Sequence, residues 1–188
     1  MDTLNIIHLS RRQDRYDLLM PQLALQGITD YVLHEGIEKK HNRKEGICKS
    51  HKAIVREAKE KGLPMVHIAE DDIVFRSPGA WDYYLSKIPD SFDLFMGMTY
   101  VGSHDENGRI NSICSGLTLY TVSERFYDSF LSIPDSCHVD RTITAMHKEY
   151  EFILIDKFVA YQSGSKSDNT QTTCDYTPLL QGRKLYGE

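Results

Sequence analysis

The first half of the chain alternates short apolar segments with longer amphipathic ones, and this order constrains the fold more than any other feature. Residues 4–9, 31–33 and 65–69 are short and rich in apolar or branched side chains, which predicts buried strands. A helical pattern follows the first strand, and another occupies residues 46–61. Strand–helix–strand order favours a mostly parallel central sheet with helices on both faces. The sequence therefore predicts an α/β protein whose ligands bind beyond the carboxyl ends of the strands.

Local signals predict where the first two helices begin and bend. Ser10 stands three residues before Gln13, which is the spacing of a capping box at a helix start. Pro21 should bend or break this helix, because proline lacks the backbone N–H that a helix uses. The second helix is expected to begin at Gly46.

Size and charge exclude some classes of function. The chain has 188 residues and a formal net charge of −5, which suits one domain and argues against nucleic-acid binding, since that task relies on a basic face. No apolar run approaches the roughly 20 residues of a membrane helix, and the first 15 residues do not resemble a signal peptide. We expect a single domain over residues 1–188, with a polar tail able to move from about residue 163. The expected location is the cytoplasm, with at most peripheral association with the inner face of a membrane.

The cysteines are expected to be thiols. Cys48, Cys114, Cys137 and Cys174 lie far apart in the sequence and form no C-x-x-C pair, so a zinc ribbon is disfavoured. Disulfides are rare in a reducing compartment.

An acidic triplet, Glu70, Asp71 and Asp72, directly follows the predicted strand VHIA. Three adjacent carboxylates repel one another, so the cluster costs stability unless a cation or a basic group lies near it. Oxygen ligands at a strand end suit Mg²⁺ or Mn²⁺ that also bridges substrate phosphates. Because strand side chains alternate, Glu70 and Asp72 would face one side and Asp71 the other. A solvated acidic turn is the alternative, and the triplet alone leaves both open.

Residues 46–51 (GICKSH) could bind an anion. At a helix start, free backbone N–H groups favour negative charge, and Ser50 and His51 could donate further hydrogen bonds. A capped helix with a satisfied histidine explains the same residues without a ligand.

Three arginines, Arg11, Arg12 and Arg15, follow the first predicted strand. Arginines in this position can hold a phosphate or a nucleotide base. An exposed helix face is an equally good interpretation.

Two later segments carry further polar candidates. Asp140 could act as a general base at a helix start, although an aspartate that caps the helix is a sufficient structural explanation. Residues 162–169 contain serines, Lys166 and Asp168. They could close over a phosphate, or they could form a solvated loop.

Six segments in order along the chain carry a resemblance to a known family. They are NIIHLSRRQDR, GICKSH, PMVHIAEDDIVF, SGLTLYTVSERFYDSFL, HVDRTI and AYQSGSKSDN, and they span about residues 4–169. Together they resemble the motifs of glycosyltransferase family 25, the type that acts in lipopolysaccharide and lipooligosaccharide biosynthesis.

The resemblance implies a single GT-A-like (Rossmann-like) domain that uses Mn²⁺ or Mg²⁺. It implies inverting transfer of a hexose, galactose, from a nucleotide-diphosphate sugar such as UDP-galactose to a glycan acceptor such as a cell-surface lipopolysaccharide. In this scheme Glu70 and Asp72 hold the metal, and Asp140 takes the proton of the acceptor hydroxyl. The nucleotide sugar would be bound by Asn5, Leu9, Arg12, Arg15, Ser50, His51 and Asp71.

Two other functions stay open. A metal-dependent nucleotidyl or phosphoryl transferase could use the same acidic triplet, although the lack of a G-x-x-x-x-G-K-[ST] segment disfavours P-loop chemistry. A degenerate transferase that only binds sugars or a partner is the non-enzymatic alternative.

Overall fold

The computed structural model describes residues 2–168 and 171–188. Within these residues the strands are β1 (Leu4–His8), β2 (Tyr31–Glu35), β3 (Met65–Glu70), β4 (Ile73–Phe75), β5 (Leu94–Met96), β6 (Leu119–Ser123), β7 (Phe152–Leu154) and β8 (Ala160–Gln162). The α-helices are α1 (Gln13–Leu25), α2 (Arg43–Glu60), α3 (Ala80–Ser86), α4 (Tyr127–Ser132) and α5 (Val139–Thr144). Short 3₁₀ helices occupy Glu124–Phe126 and Thr177–Leu180.

The central sheet has six strands in the order β2-β1-β3-β6-β5-β7. β1 is parallel to β2 and β3, and β5 is parallel to β7, whereas β6 is antiparallel to both of its neighbours. Only β6 therefore runs against the other strands, which confirms the predicted mostly parallel sheet. A separate antiparallel pair joins β4 to β8 and brings the late part of the chain next to the end of β3.

Helices cover both faces of the sheet, as predicted. Tyr120 and Thr121 are successive residues of β6, so their side chains point to opposite faces. The Tyr120 hydroxyl lies 2.6 Å from Nδ1 of His51 on α2, and the Thr121 hydroxyl lies 2.7 Å from that of Tyr84 on α3. The core fills the space between sheet and helices, with fully buried side chains that include Leu4, Ile6, Leu19, Ile54, Ile68, Tyr84, Phe95 and Phe126.

The start of α1 differs from the prediction. Arg12, not Ser10, is the residue before the first helical turn, and its side chain makes no capping hydrogen bond. A tight turn from Leu9 to Arg12, closed by a backbone hydrogen bond of 2.7 Å, delays the helix. The predicted capping box at Ser10 is therefore wrong.

Pro21 does not end α1, which continues through it to Leu25. A proline in a helix removes one backbone hydrogen bond, and burial of the flanking residues can offset that loss. Leu19 and Leu23, on either side of Pro21, are both buried in the core. Of the bend or break expected at Pro21, the break is absent, because tertiary packing outweighs the local cost.

The second helix begins three residues before the predicted start. Arg43 is its first residue, and the side chain of Asn42 caps it by accepting a hydrogen bond from the N–H of Glu45. Gly46 lies inside the helix, where a Cβ atom would come within 2.2 Å of the Ile37 carbonyl oxygen. The glycine thus permits close approach of the loop after β2. Its backbone N–H donates to the Asn42 carbonyl oxygen, so of the two interpretations of this segment the structure fits the capped helix and not an anion at free N–H groups.

The four cysteines are thiols, as predicted, and none of them forms a disulfide in the structure. Across the part of the chain that the structure describes, every helix is too short or too polar to span a bilayer.

Candidate functional site

A cleft of about 430 Å³ opens at the carboxyl edge of the central sheet. Leu9, Gly36 and Asp71 are the residues that directly follow β1, β2 and β3, and all three line it. Because these strands are mutually parallel, their carboxyl ends meet at one edge. The cleft therefore lies where the strand order predicted a ligand site.

Most of the candidate residues from the sequence meet in this cleft. Those that line it are Leu9, Arg15, Ser50, His51, Glu70, Asp71, Asp72 and Asp140. Asn5 and Arg12 do not.

The side-chain amide of Asn5 makes its hydrogen bonds to other residues of the sheet region. Its amide donates to the carbonyl oxygens of Thr3 and His67, and its Oδ1 lies 2.9 Å from Nε2 of His34. These contacts hold the Asn5 side chain within the sheet, and Asn5 does not line the cleft.

Asp71 is held by two basic side chains. Its Oδ1 accepts a hydrogen bond of 2.5 Å from Nη1 of Arg15, and its Oδ2 lies 2.8 Å from Nδ1 of His8. Asp71 and Arg15 are both buried. Although burial opposes a charged guanidinium, the carboxylates of Asp72 and Asp71 raise the pKa of Arg15 above its ordinary value. Asp71 is thus an internal ion-pair partner rather than an open ligand.

Asp72 is only partly satisfied. Its Oδ2 lies 3.2 Å from Nη2 of Arg15, but its buried Oδ1 has no hydrogen-bond partner among the residues that the structure describes. Burial, followed by the nearby Glu70 carboxylate, raises the pKa of Asp72 to about 8. An unpaired buried carboxylate beside another one is costly unless a cation compensates it.

The predicted alternation of the triplet holds only in part. Glu70 is the last residue of β3, and Asp71 and Asp72 form the turn that follows. Glu70 and Asp71 do point to different partners, but Asp72 and Asp71 both contact Arg15. The strict two-residue period ends where the strand ends.

Side chains of Gln162 and His51 contact the Glu70 carboxylate, and Tyr120 in turn contacts His51. Its Oε2 accepts a hydrogen bond of 2.7 Å from the Gln162 amide, and its Oε1 lies 3.6 Å from Nε2 of His51. Burial keeps the pKa of Tyr120 well above its ordinary value, and the protonated Tyr120 hydroxyl lies 2.6 Å from Nδ1 of His51. In the His51 tautomer that carries its proton on Nε2, Tyr120 donates to Nδ1 and the Nε2–H faces Glu70.

Ser50 holds the backbone around the cleft. Its hydroxyl oxygen accepts from the N–H of Ile37 at 2.8 Å and donates to the carbonyl oxygen of Gly46 at 2.9 Å. Both hydrogen-bonding functions are therefore engaged within the protein. Ser50 fixes the loop after β2 to α2 and shapes the wall of the cleft.

Asp140 lies on the opposite wall, in the first turn of α5. His138, not Asp140, precedes the helix, so the expected capping role is wrong. The Asp140 carboxylate accepts two hydrogen bonds from backbone groups. Its Oδ2 accepts one of 2.9 Å from the N–H of Gly116, and its Oδ1 accepts one of 2.8 Å from the N–H of Arg141. These bonds fix the carboxylate at the cleft while each oxygen keeps a lone pair.

The tail after β8 packs over the cleft. The Ser163 N–H donates to the carbonyl oxygen of Asp72 at 2.7 Å, and Arg15 donates to the carbonyl oxygen of Lys166 at 3.2 Å. Asp168 forms ion pairs with Arg11 and Arg12. Asn169, the last residue of the predicted closing segment, lies outside the described residues.

Comparison with known proteins identifies the fold. No family model and no curated protein matches the sequence. Solved structures do match. The protein A197 from STIV is 14% identical, with 92% of each chain covered and a TM-score of 0.56. A glycosyltransferase involved in the glycosylation of the major capsid of PBCV-1 is 13% identical, with 82% of this chain and 80% of that chain covered and a TM-score of 0.50.

The mannosyltransferase PcManGT from Pyrobaculum calidifontis, solved in complex with GDP-Man and Mn²⁺, is also similar. It is 8% identical, with 89% of this chain covered and a TM-score of 0.59, and the chain spans 58% of its length. The chain has a GT-A-like fold. This confirms the GT-A-like α/β class expected from the sequence. Because the sequence identities are low, the similarity is limited to the fold.

A divalent cation is compatible with the residues present. Among the described residues no three His, Cys, Asp or Glu side chains are already grouped around one point. A magnesium-type site that includes substrate phosphates needs only one or two protein carboxylates. The unpartnered Oδ1 of Asp72, with Glu70 near it, offers that donor set.

Sequence reasoning missed two aromatic residues that line the cleft, Tyr100 and Tyr176. The Tyr100 hydroxyl accepts a hydrogen bond of 2.7 Å from the N–H of Gln162, and its ring lies 5.1 Å from that of Tyr176. Both tyrosines lie far along the chain from the acidic triplet, and no local spacing connects them to it.

Proposed function

We propose that this chain is a metal-dependent, inverting glycosyltransferase that moves a hexose from a nucleotide-diphosphate sugar to a glycan acceptor. The observation that carries the proposal is the orphaned carboxylate oxygen of Asp72. It lies in a cleft at the carboxyl edge of a glycosyltransferase fold, with Asp140 on the other wall.

The finer parts of the proposal rest on the sequence resemblance to family 25. From it we take UDP-galactose as the donor and a cell-surface lipopolysaccharide as the acceptor, and cytoplasmic action at the inner face of a membrane. The Mn²⁺ and GDP-Man bound to PcManGT support a divalent metal and a nucleotide-sugar donor, whose base could be uracil or guanine.

Asp72 and Glu70 would hold Mn²⁺ or Mg²⁺ together with the donor diphosphate. When bound, the metal offsets the phosphate charge and stabilises the departing nucleoside diphosphate. The guanidinium of Arg15 keeps Asp71 and Asp72 at the cleft edge, and Leu9 and the segment after β2 form the wall against the nucleotide.

Asp140 would be the general base. In an inverting displacement the acceptor oxygen bonds to the anomeric carbon, the bond from that carbon to the diphosphate oxygen breaks, and a carboxylate takes the hydroxyl proton. Asp140 is suited to this task because backbone N–H groups fix its position at the cleft wall.

The test is turnover of candidate donors. UDP-galactose and GDP-mannose would each be incubated with the protein and Mn²⁺ or with EDTA, and the released nucleotides separated by chromatography. We expect slow release of a nucleoside diphosphate and free sugar from one donor, only when the metal is present. Cleavage between the two phosphates, seen as nucleoside monophosphate together with sugar 1-phosphate, would instead point to nucleotidyl-transfer chemistry.

Two variants complete the test. Asp72→Asn should abolish the metal-dependent release, whereas Asp82→Asn, at an exposed position on α3 outside the cleft, should leave it unchanged. Donor-dependent thermal stabilisation with no turnover of any donor would point to a binding module and refute the proposed activity.

A further inference from the structure

A second cavity of about 490 Å³ adjoins the cleft. Leu9, Ile37, Ile47 and Asp168 line both, so the two spaces share a wall. Asp168, paired with the buried Arg12, stands at this boundary. Glu70, Asp72 and Asp140 line only the first cleft.

The second cavity is rich in positive charge. Its cationic side chains are Arg11, Arg12, Lys39, Lys40, Arg43 and Lys166, and its acidic ones are Asp14, Glu38 and Asp168. The three acidic groups all pair with two of the arginines. Asp14 pairs with Arg12, Glu38 pairs with Arg11, and Asp168 pairs with both arginines.

Six cations against three carboxylates give the lining of this cavity a net charge of +3. In the described part of the chain, Lys39, Lys40, Arg43 and Lys166 form no salt bridge. Three of them come from the loop after β2 and the first residue of α2, and Lys166 comes from the tail on the other side. Like charges brought around one cavity repel one another, and an anion would relieve that repulsion. This concentration stands out in a chain whose net charge is −5.

We propose that the second cavity binds an acidic group, a phosphate or a carboxylate, on the acceptor of the transfer reaction. This inference rests on the proposed function. The donor diphosphate would be held with the metal at Glu70 and Asp72, which do not line the second cavity. A neutral hexose on a nucleoside diphosphate has no further anionic group to place there, so the complementary anion belongs to the second reactant.

The experiment measures binding of sugar phosphates in the absence of donor. Titration calorimetry would use glucose 6-phosphate, inorganic phosphate and uncharged glucose as probes. The test variant combines Lys39→Gln, Lys40→Gln and Arg43→Gln. The control combines Lys148→Gln, Lys157→Gln and Lys184→Gln, which remove the same charge from exposed positions outside both cavities.

We expect the wild-type protein and the control to bind glucose 6-phosphate and not glucose. The test variant should bind it roughly tenfold more weakly, and the difference should shrink as salt is raised, because exposed charges are screened over about 10 Å at 0.1 M. Binding of UDP and GDP with Mn²⁺ should be the same in all three proteins. Circular dichroism and thermal unfolding would establish that each variant is folded.

Three results would overturn the inference. Equal weakening in the control would assign the effect to net charge, and equal weakening of UDP or GDP binding would assign the cavity to the donor. Binding of phosphatidylserine vesicles that the test variant loses, without any sugar-phosphate binding, would assign the cations to a lipid surface. Because the probe needs no donor and no turnover, failure of the proposed transferase activity would be seen separately.

Discussion

The guanidinium of Arg15 donates a hydrogen bond of 2.5 Å to Oδ1 of Asp71, and both side chains are buried. The pair joins α1 to the turn after β3, between residues 56 positions apart in sequence. It neutralises the middle carboxylate of the acidic triplet from within the protein. Asp72 and Glu70 are thereby left as the carboxylates that can serve a cation in the cleft.

The first prediction concerns this ion pair. Asp71→Asn should lower the free energy of unfolding by about 3 kcal/mol, because removing one partner leaves a buried charge poorly compensated. Asp72→Asn in the metal-free protein should cost little or be stabilising, since it removes a carboxylate that burial disfavours. Denaturant unfolding without metal compares the two. An equal loss in both variants would contradict the division of roles.

The second prediction concerns metal removal. Saturating Mn²⁺ should raise the unfolding temperature of the wild-type protein, because a ligand at a hundredfold excess over its Kd contributes about 2.7 kcal/mol. Asp72→Asn should lose this stabilisation, and EDTA should abolish it in the wild type. Differential scanning fluorimetry is the measurement. A variant that Mn²⁺ stabilises as much as the wild type would place the metal elsewhere.

The third prediction concerns Asp140. Asp140→Asn keeps the shape of the side chain but removes the base, so kcat for transfer should fall roughly 10²- to 10⁴-fold. The KM for the donor should change little, because Asp140 is not among the groups proposed to hold the diphosphate. Steady-state kinetics with a transferable donor and acceptor separates the two. Near-normal kcat would mean that another group takes the proton.

The fourth prediction concerns the support of Glu70 by His51. Tyr120→Phe removes the hydroxyl that lies 2.6 Å from Nδ1 of His51 and leaves that nitrogen buried without a partner. We expect a loss of roughly 1–3 kcal/mol in stability. The Mn²⁺ concentration for half-maximal activity should also rise, because His51 is freed to turn away from Glu70. An unchanged metal dependence would restrict Tyr120 to a structural role.

The fifth prediction concerns pH. Burial against Trp81 lowers the pKa of His67 to about 4, from an ordinary value of 6.5. Between these values the unfolded chain binds a proton that the folded protein does not, so stability is lost as the pH falls from 6.5 to 4. The loss amounts to about 3 kcal/mol.

The matched pair of variants for this test is His67→Gln and His104→Gln. His104 is exposed, so its replacement should leave the pH dependence of the wild type intact. The free energy of unfolding of His67→Gln should fall less steeply between pH 6.5 and 4. Parallel curves for His67→Gln and the wild type would show that His67 does not carry this dependence.

The local pattern of apolar residues was sufficient to predict much of the fold. The strands β1, β2 and β3 lie where short apolar runs predicted them, and the strand order placed the cleft at the correct edge of the sheet. The helix starts were less predictable. At α1 a turn delays the helix, and at α2 Asn42 caps it three residues early.

The amino-acid sequence by itself determined the class of fold and the acidic triplet at a strand end, because both follow from neighbours in the chain. Only the tertiary structure decided which carboxylates are engaged. It paired Asp71 with Arg15, left Asp72 Oδ1 without a partner, and placed Lys166 opposite the loop after β2. The physical reason is that the charge state and availability of a side chain depend on groups within a few ångströms of it. In this protein the path of the chain brings those groups from distant segments.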